Sequence, residues 1–132
     1  MRVLRSKKIL AVVGAVLVGG TLAAAGISSI WTQTVLSDGT NVHVRVIRTI
    51  ASDFDSGWHM HPGPAIVQVQ EGSFQITQGS CTPKTVGAGE TFIEVPFLPV
   101  RAIAVGKISW TVTQFGSYEN PLSTPVTTNP CP

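Results

Sequence analysis

Beyond Trp31 the chain is broken every few residues by Gly, Pro, Asn or Asp, and the runs between the breaks are short and rich in Val, Ile, Thr and Phe. That rhythm constrains the fold more than any other feature. A helix needs apolar residues recurring every three or four positions, and no stretch keeps that period; short alternating runs closed by turn formers read as strands. Residues 31–36, 41–50, 66–70, 74–78, 91–95, 102–105 and 107–115 are the clearest of them. Asp38-Gly39 and Glu71-Gly72-Ser73 carry turn signals, residues 79–84 and 87–90 read as a loop and a tight turn, and Pro96 and Pro99 close the fifth run. With the segment around His59, about eight or nine strands in roughly 100 residues predict an all-β sandwich or jelly-roll β-barrel.

One stretch inside this pattern carries polar chemistry: Gly57-Trp58-His59-Met60-His61-Pro62-Gly63-Pro64. Side chains alternate faces along an extended chain, so His59 and His61 point the same way and Met60 the other. Two imidazoles side by side suit a metal ion or a buried anion. Trp58 has two readings, an aromatic cap on the mouth of the barrel or a surface on which a ligand stacks. No Ser, Thr or Cys sits in a nucleophile elbow or beside a recognisable base, so covalent catalysis has no candidate.

The N-terminus is of a different kind. Arg2, Arg5, Lys7 and Lys8 lead an uncharged apolar run from Ile9 to Gly26, and Ala23-Ala24-Ala25 offers a small-residue cleavage site at its end. This reads as an export signal, and the absence of an adjacent Arg-Arg pair points to the general secretory route. The run is also nearly long enough to span a bilayer, so a membrane anchor over residues 9–27 is the alternative. The expected organisation is a signal peptide or anchor over residues 1–25, a barrel over 26–120 and a Pro-rich tail over 121–132 running across the surface. Four of the nine basic residues belong to the signal. Five basic residues then stand against seven acidic ones in the domain, which removes the basis for binding nucleic acid. Membrane association is expected only through the N-terminal segment, if it stays uncleaved. Cys81 and Cys131, an even pair in an exported chain, are expected to form a disulfide that ties the tail to the middle of the domain.

His59-x-His61 with Gly72 resembles the first motif of the cupins, small jelly-roll β-barrels, which reads Gly-x5-His-x-His-x3-4-Glu-x6-Gly. Gly89 to Pro96 echoes their second motif, Gly-x5-Pro-x-Gly-x2-His-x3-Asn. The chain is also similar to short exported cupins with Trp-His-x-His-Pro-Gly-Pro and a Cys-Thr-Pro loop, here Cys81-Thr82-Pro83. The resemblance spans roughly residues 40–115 and implies a cupin-type barrel, a small-molecule ligand and homodimers. It is incomplete. Aligned on Gly72, the motif's metal-binding Glu falls on Ala65 and its leading Gly on Asp53. In the second motif, Pro96 places Leu98 at the Gly, Arg101 at the metal-binding His and Val105 at the Asn; a one-residue shift puts Val100 at the His instead.

Two functional expectations follow. In the first, His59 and His61 bind a divalent metal ion, Fe, Mn, Ni, Cu or Zn, and Glu94 completes a two-His-one-carboxylate set of dioxygenase-like ancestry. Glu94 is in phase with Phe92, so if Phe92 faces the core Glu94 is a buried acid needing a partner. In the second, no metal binds, and Arg101 together with the imidazoles and Trp58 holds a small anionic or sugar-like ligand in a non-enzymatic barrel.

Overall fold

The computed structural model describes residues 26–38, 41–116 and 121–131. The basic head, the apolar run up to Ala25 and the cleavage site expected there lie outside these residues. Among the described residues, ten strands form two antiparallel five-stranded sheets. One runs β1 (Ile27–Ser37), β2 (His43–Ser52), β9 (Lys107–Gly116), β4 (Ala65–Glu71), β7 (Thr91–Glu94). The other runs β10 (Thr124–Pro125), β3 (His59–Met60), β8 (Val100–Ile103), β5 (Ser73–Gln78), β6 (Lys84–Gly87). Among the described residues no helix is long and apolar enough to cross a membrane.

Alternation decides which side chains meet between the sheets. Val67 and Val69 of β4, Phe74 and Ile76 of β5, Val100 and Ala102 of β8, and Ile108 and Trp110 of β9 form one buried cluster. Phe74 and Ile108 are almost wholly buried, each worth about 1.5–3 kcal/mol by the apolar area removed from water. Phe54, from the loop after β2, packs on Trp110 with ring centroids 4.7 Å apart. Phe74 meets Trp110 edge-on at 5.1 Å. Phe54, Phe74 and Trp110 also form one wall of a hollow end of the barrel.

Two residues at motif positions show how the ends are tied. Gly72, at the β4–β5 turn, has φ of 79°, and a Cβ there would run into the Lys107 carbonyl. Asp53 stands where the cupin motif has Gly and also adopts positive φ, 54°. It tolerates this left-handed conformation because its carboxylate accepts from Gly106 N at 2.8 Å while its own N–H donates to Gly106 O at 3.0 Å.

The structure departs from expectation in the strands and in the tail: β8 covers Val100–Ile103 where the sequence offers a run over residues 102–105. Residues 84–87 form β6 beside β5, where the sequence offers a loop and the start of a turn. The tail beyond residue 120 does more than cross the surface. Thr124 and Pro125 pair with Met60 and His59, Leu122 is buried, and Val126 N donates to Trp58 O at 2.9 Å. Gly116 makes room for this, since a Cβ on it would strike the Leu122 side chain. Cys81 and Cys131 form the expected disulfide across a separation of 50 residues.

Candidate metal centre

The hollow end is a cavity of about 280 Å³ lined by side chains of both sheets and the tail. Its polar groups converge on one corner. His59 lies on β3, and His61 follows it just past the strand, where Pro62 prevents further pairing. Their rings meet edge to face with centroids 4.9 Å apart, so the alternation expected for His-x-His holds across the pair. Glu94, the last residue of β7, reaches the same corner from the opposite sheet. Phe92 does line the cavity, and Glu94, in phase with it, is only 5 % exposed.

Each imidazole is oriented by a backbone carbonyl. His59 Nδ1 donates to Gly57 O at 3.0 Å, and His61 Nδ1 donates to Leu122 O at 2.5 Å. Carbonyl oxygens only accept, so in both neutral rings the proton sits on Nδ1 and Nε2 carries a lone pair. Both Nε2 atoms face Glu94: His61 Nε2 is 2.8 Å from Oε2 and His59 Nε2 is 3.9 Å from Oε1. The shorter contact lacks hydrogen-bond alignment, which leaves His61 Nε2 a buried polar atom without a partner. A carboxylate facing two imidazole lone pairs is unfavourable unless a proton or a cation lies among them.

The charges respond accordingly. Burial disfavours the His59 imidazolium, but Glu94 and the Gly57 carbonyl outweigh it and raise the pKa above its ordinary value. Burial likewise pushes the Glu94 carboxyl up, yet His59 and His61 outweigh it and hold it below the ordinary carboxylate range. The donor atoms of His59, His61 and Glu94 all lie within 4.8 Å of one another. Two neutral imidazoles with their Nδ1 protons fixed by outer partners, plus one carboxylate, fit a divalent transition metal.

The cupin positions that this sequence leaves vacant are accounted for by register. Ala65, at the motif's Glu, pairs directly with Glu94, so the carboxylate comes from the neighbouring strand on the same face. His59 pairs with Val100, which is fully buried, so an apolar residue faces the imidazoles where the second motif has His. Arg101, the next residue, faces outward, and the expectation of an inward guanidinium is corrected. Its Nη2 and Nε bond both oxygens of Asp55 at 2.6 and 3.0 Å, outside the cavity. Trp58 does line the cavity, and its backbone carbonyl ties down the tail.

Four residues escape sequence reasoning. The Leu122 carbonyl orients His61, Ser123 and Pro125 close the wall, and Gln114 projects into the cavity from β9. The three tail residues carry no signal, because a backbone carbonyl has no side-chain signature and the tail has no strand period. Gln114 does carry one, as the polar residue in phase with Ile108, Trp110 and Val112.

No protein-family model and no curated protein matches the sequence. Solved structures do resemble it. A cupin-like protein from Thermotoga maritima superposes with a TM-score of 0.54 at 15 % identity over 74 % of this chain and 75 % of that one. An RmlC-like cupin from Shewanella frigidimarina gives 0.52 at 18 % identity over 74 % and 88 %. This chain has the cupin fold. A polyketide cyclase from Streptomyces resistomycificus shares that fold with a TM-score of 0.53 at 15 % identity, over 85 % of this chain and 81 % of that one. In this chain the two histidines stand on and just after β3, and Glu94 stands on β7 directly opposite Ala65.

Proposed function

We propose that this protein is a small exported metal-binding cupin in which His59, His61 and Glu94 hold a divalent transition metal at the closed corner of an aromatic cavity. The observation that carries the reading is the buried, partnerless Nε2 of His61, fixed by its Nδ1 hydrogen bond and aimed at Glu94. Two His and one carboxylate form the donor set of non-haem iron oxygenases, and an ion held there supplies Lewis acidity, or redox chemistry if it is iron or manganese, to a small molecule in the cavity. The chain's own residues do the rest. Gly57 and Leu122 carbonyls hold the imidazoles to one tautomer, Glu94 provides the negative charge, and Phe92, Trp110 and the tail restrict water. The metal-free alternative loses its motivation with Arg101, which is engaged by Asp55 at the surface.

Metal analysis of untagged protein tests the reading. A stoichiometric transition metal is expected in the wild type and background metal in H59A/H61A; a wild type that takes up none after incubation with Fe, Mn, Ni, Cu or Zn overturns it.

Export is supported by the Cys81–Cys131 disulfide, which needs an oxidising compartment to persist. Pairing into homodimers is supported by β1, an edge strand that leaves Trp31 and Leu36 about half exposed. Light scattering across concentrations checks the latter.

A further inference from the structure

The row of residues that ends in Glu94 continues across the sheet. Glu94 stands opposite Ala65, Ala65 opposite Gln114 and Gln114 opposite Arg45. Directly opposed residues put their side chains on one face, and Ala65 contributes only a methyl. Glu94 and Gln114 therefore bracket a strand position that offers no functional group. Gln114 is 7 % exposed and lines the cavity.

The orientation of the Gln114 amide is fixed. Arg45 Nη2 donates to Gln114 Oε1 at 2.8 Å, and a guanidinium has nothing with which to accept. The amide oxygen must face Arg45, which turns the NH2 away from it. No described residue accepts a hydrogen bond from that NH2. Arg45 is itself half-buried with its Nε lacking a partner, and no described carboxylate pairs with it. A donor with unused hydrogens, backed by a cation that no described carboxylate neutralises, is the complement of a ligand oxyanion.

The two ends of the row are thus opposite in character. The His59–His61–Glu94 corner calls for a cation, and the Gln114–Arg45 side calls for a negative oxygen. Phe54, Phe92 and Trp110 make the walls between them apolar, and about 280 Å³ admits only a compact molecule. We propose that Gln114 is a specificity-determining residue that donates its amide N–H to the carboxylate of a small acid with an apolar body, with Arg45 as the positioning residue behind it. The inference rests on the metal reading, because without an ion the Glu94 carboxylate repels the same anion. Arg45 touches the acid only through Gln114, since it is not part of the cavity wall. Its charge makes the amide a stronger donor and sets the preference for an anion over a neutral analogue.

The test uses benzoate and its neutral isostere benzamide, titrated into full-length protein whose metal content has first been measured. Binding is followed by quenching of the fluorescence of Trp58 and Trp110, which line the cavity. Metal-loaded wild type is expected to bind benzoate saturably and benzamide about tenfold more weakly, as a hydrogen bond to a charged group implies. Gln114→Glu keeps a partner for Arg45 but presents an acceptor in place of the NH2. It should fold, retain the metal and lose benzoate binding by about tenfold or more. Arg45→Gln should retain the metal and lose the benzoate-over-benzamide preference. A metal-loaded wild type that ignores benzoate, or a metal-loaded Gln114→Glu that binds it as the wild type does, overturns the proposal and leaves the metal reading intact. A wild type that takes up no metal overturns both. Should Gln114→Glu melt far below the wild type, Gln114→Leu, which leaves the wall apolar, gives the same readout.

Discussion

Glu94 and Asp55 each lie against basic side chains, one inside the barrel and one outside it, and the better-formed pair is the less informative. Arg101 grips both oxygens of Asp55, with the shorter contact at 2.6 Å, and its hydrogen bond is the chief cause holding the Asp55 carboxyl below its ordinary range. Yet the Asp55 side chain is 44 % exposed and that of Arg101 37 %, so water competes for every contact and the pair is worth about 0–1 kcal/mol. Glu94 has the poorer geometry and is almost sealed from water. Its neighbours carry lone pairs where they face it, so the contact is incomplete without a third charged species. Saturation marks a strut at the surface, and an unpartnered imidazole nitrogen beside a buried carboxylate marks a candidate site.

The largest effect should come from the inner carboxylate. Glu94→Ala removes the only anionic donor of the cluster and should bring transition-metal content to background while the folded far-UV signature persists. Retained stoichiometric metal would place the ion elsewhere. Next comes the tail. C81S/C131S releases the segment that supplies the Leu122 carbonyl to His61, and loss of such an outer hydrogen bond costs metal affinity about 10–100-fold. The same variant should lose on the order of 3–4 kcal/mol of stability in denaturant, from the freed loop of about 50 residues. Unchanged metal affinity in that variant would show that Leu122 stays seated without the tether.

Acidity sharpens the comparison further. The Glu94 pKa is lowered from its ordinary 4.5, so its contribution to stability is present above that pH and is lost as pH falls through the lowered value. The His59 pKa is raised from 6.5, so its contribution is full below that pH and is lost as pH rises through the raised value. Metal-free protein should therefore show its highest melting temperature between about pH 4.5 and 6.5, with added metal restoring stability on the alkaline side, where the His59 imidazole is neutral. A flat profile from acid to neutral pH would show that the inner cluster is as weakly coupled as the outer pair. The smallest effect belongs to Arg101→Ala. It should cost less than about 1 kcal/mol and leave metal content unaltered. Metal loss in that variant would dissolve the distinction between the two carboxylates.

Residues whose placement follows from strand phase were legible in the sequence. His59 and His61 share a face because one residue separates them, and Glu94 is buried because it is in phase with Phe92. Arg101 was misplaced for a related reason. Counting along a motif ignores faces, and on β8 Val100 and Ala102 both point into the core, so the residue between them must point out. Gln114 obeys the same logic in the other direction, sitting inward after Ile108, Trp110 and Val112. The tether of the tail was legible as a cysteine pair, but its seat was not. Pro121, Pro125 and Pro130 leave the tail without a period, and its seat depends on the disulfide, on the pocket vacated at Gly116 and on one carbonyl.

That seat has a consequence for how the molecule is made. A ribosome delivers the chain from the N-terminus, and His59, His61 and Glu94 emerge well before Leu122. Until Leu122 arrives, His61 has no acceptor for its Nδ1 proton and the cavity lacks part of its wall. The corner is therefore the last part of the barrel to close, and the bond between Cys81 and Cys131 keeps Leu122 in its seat once it has arrived.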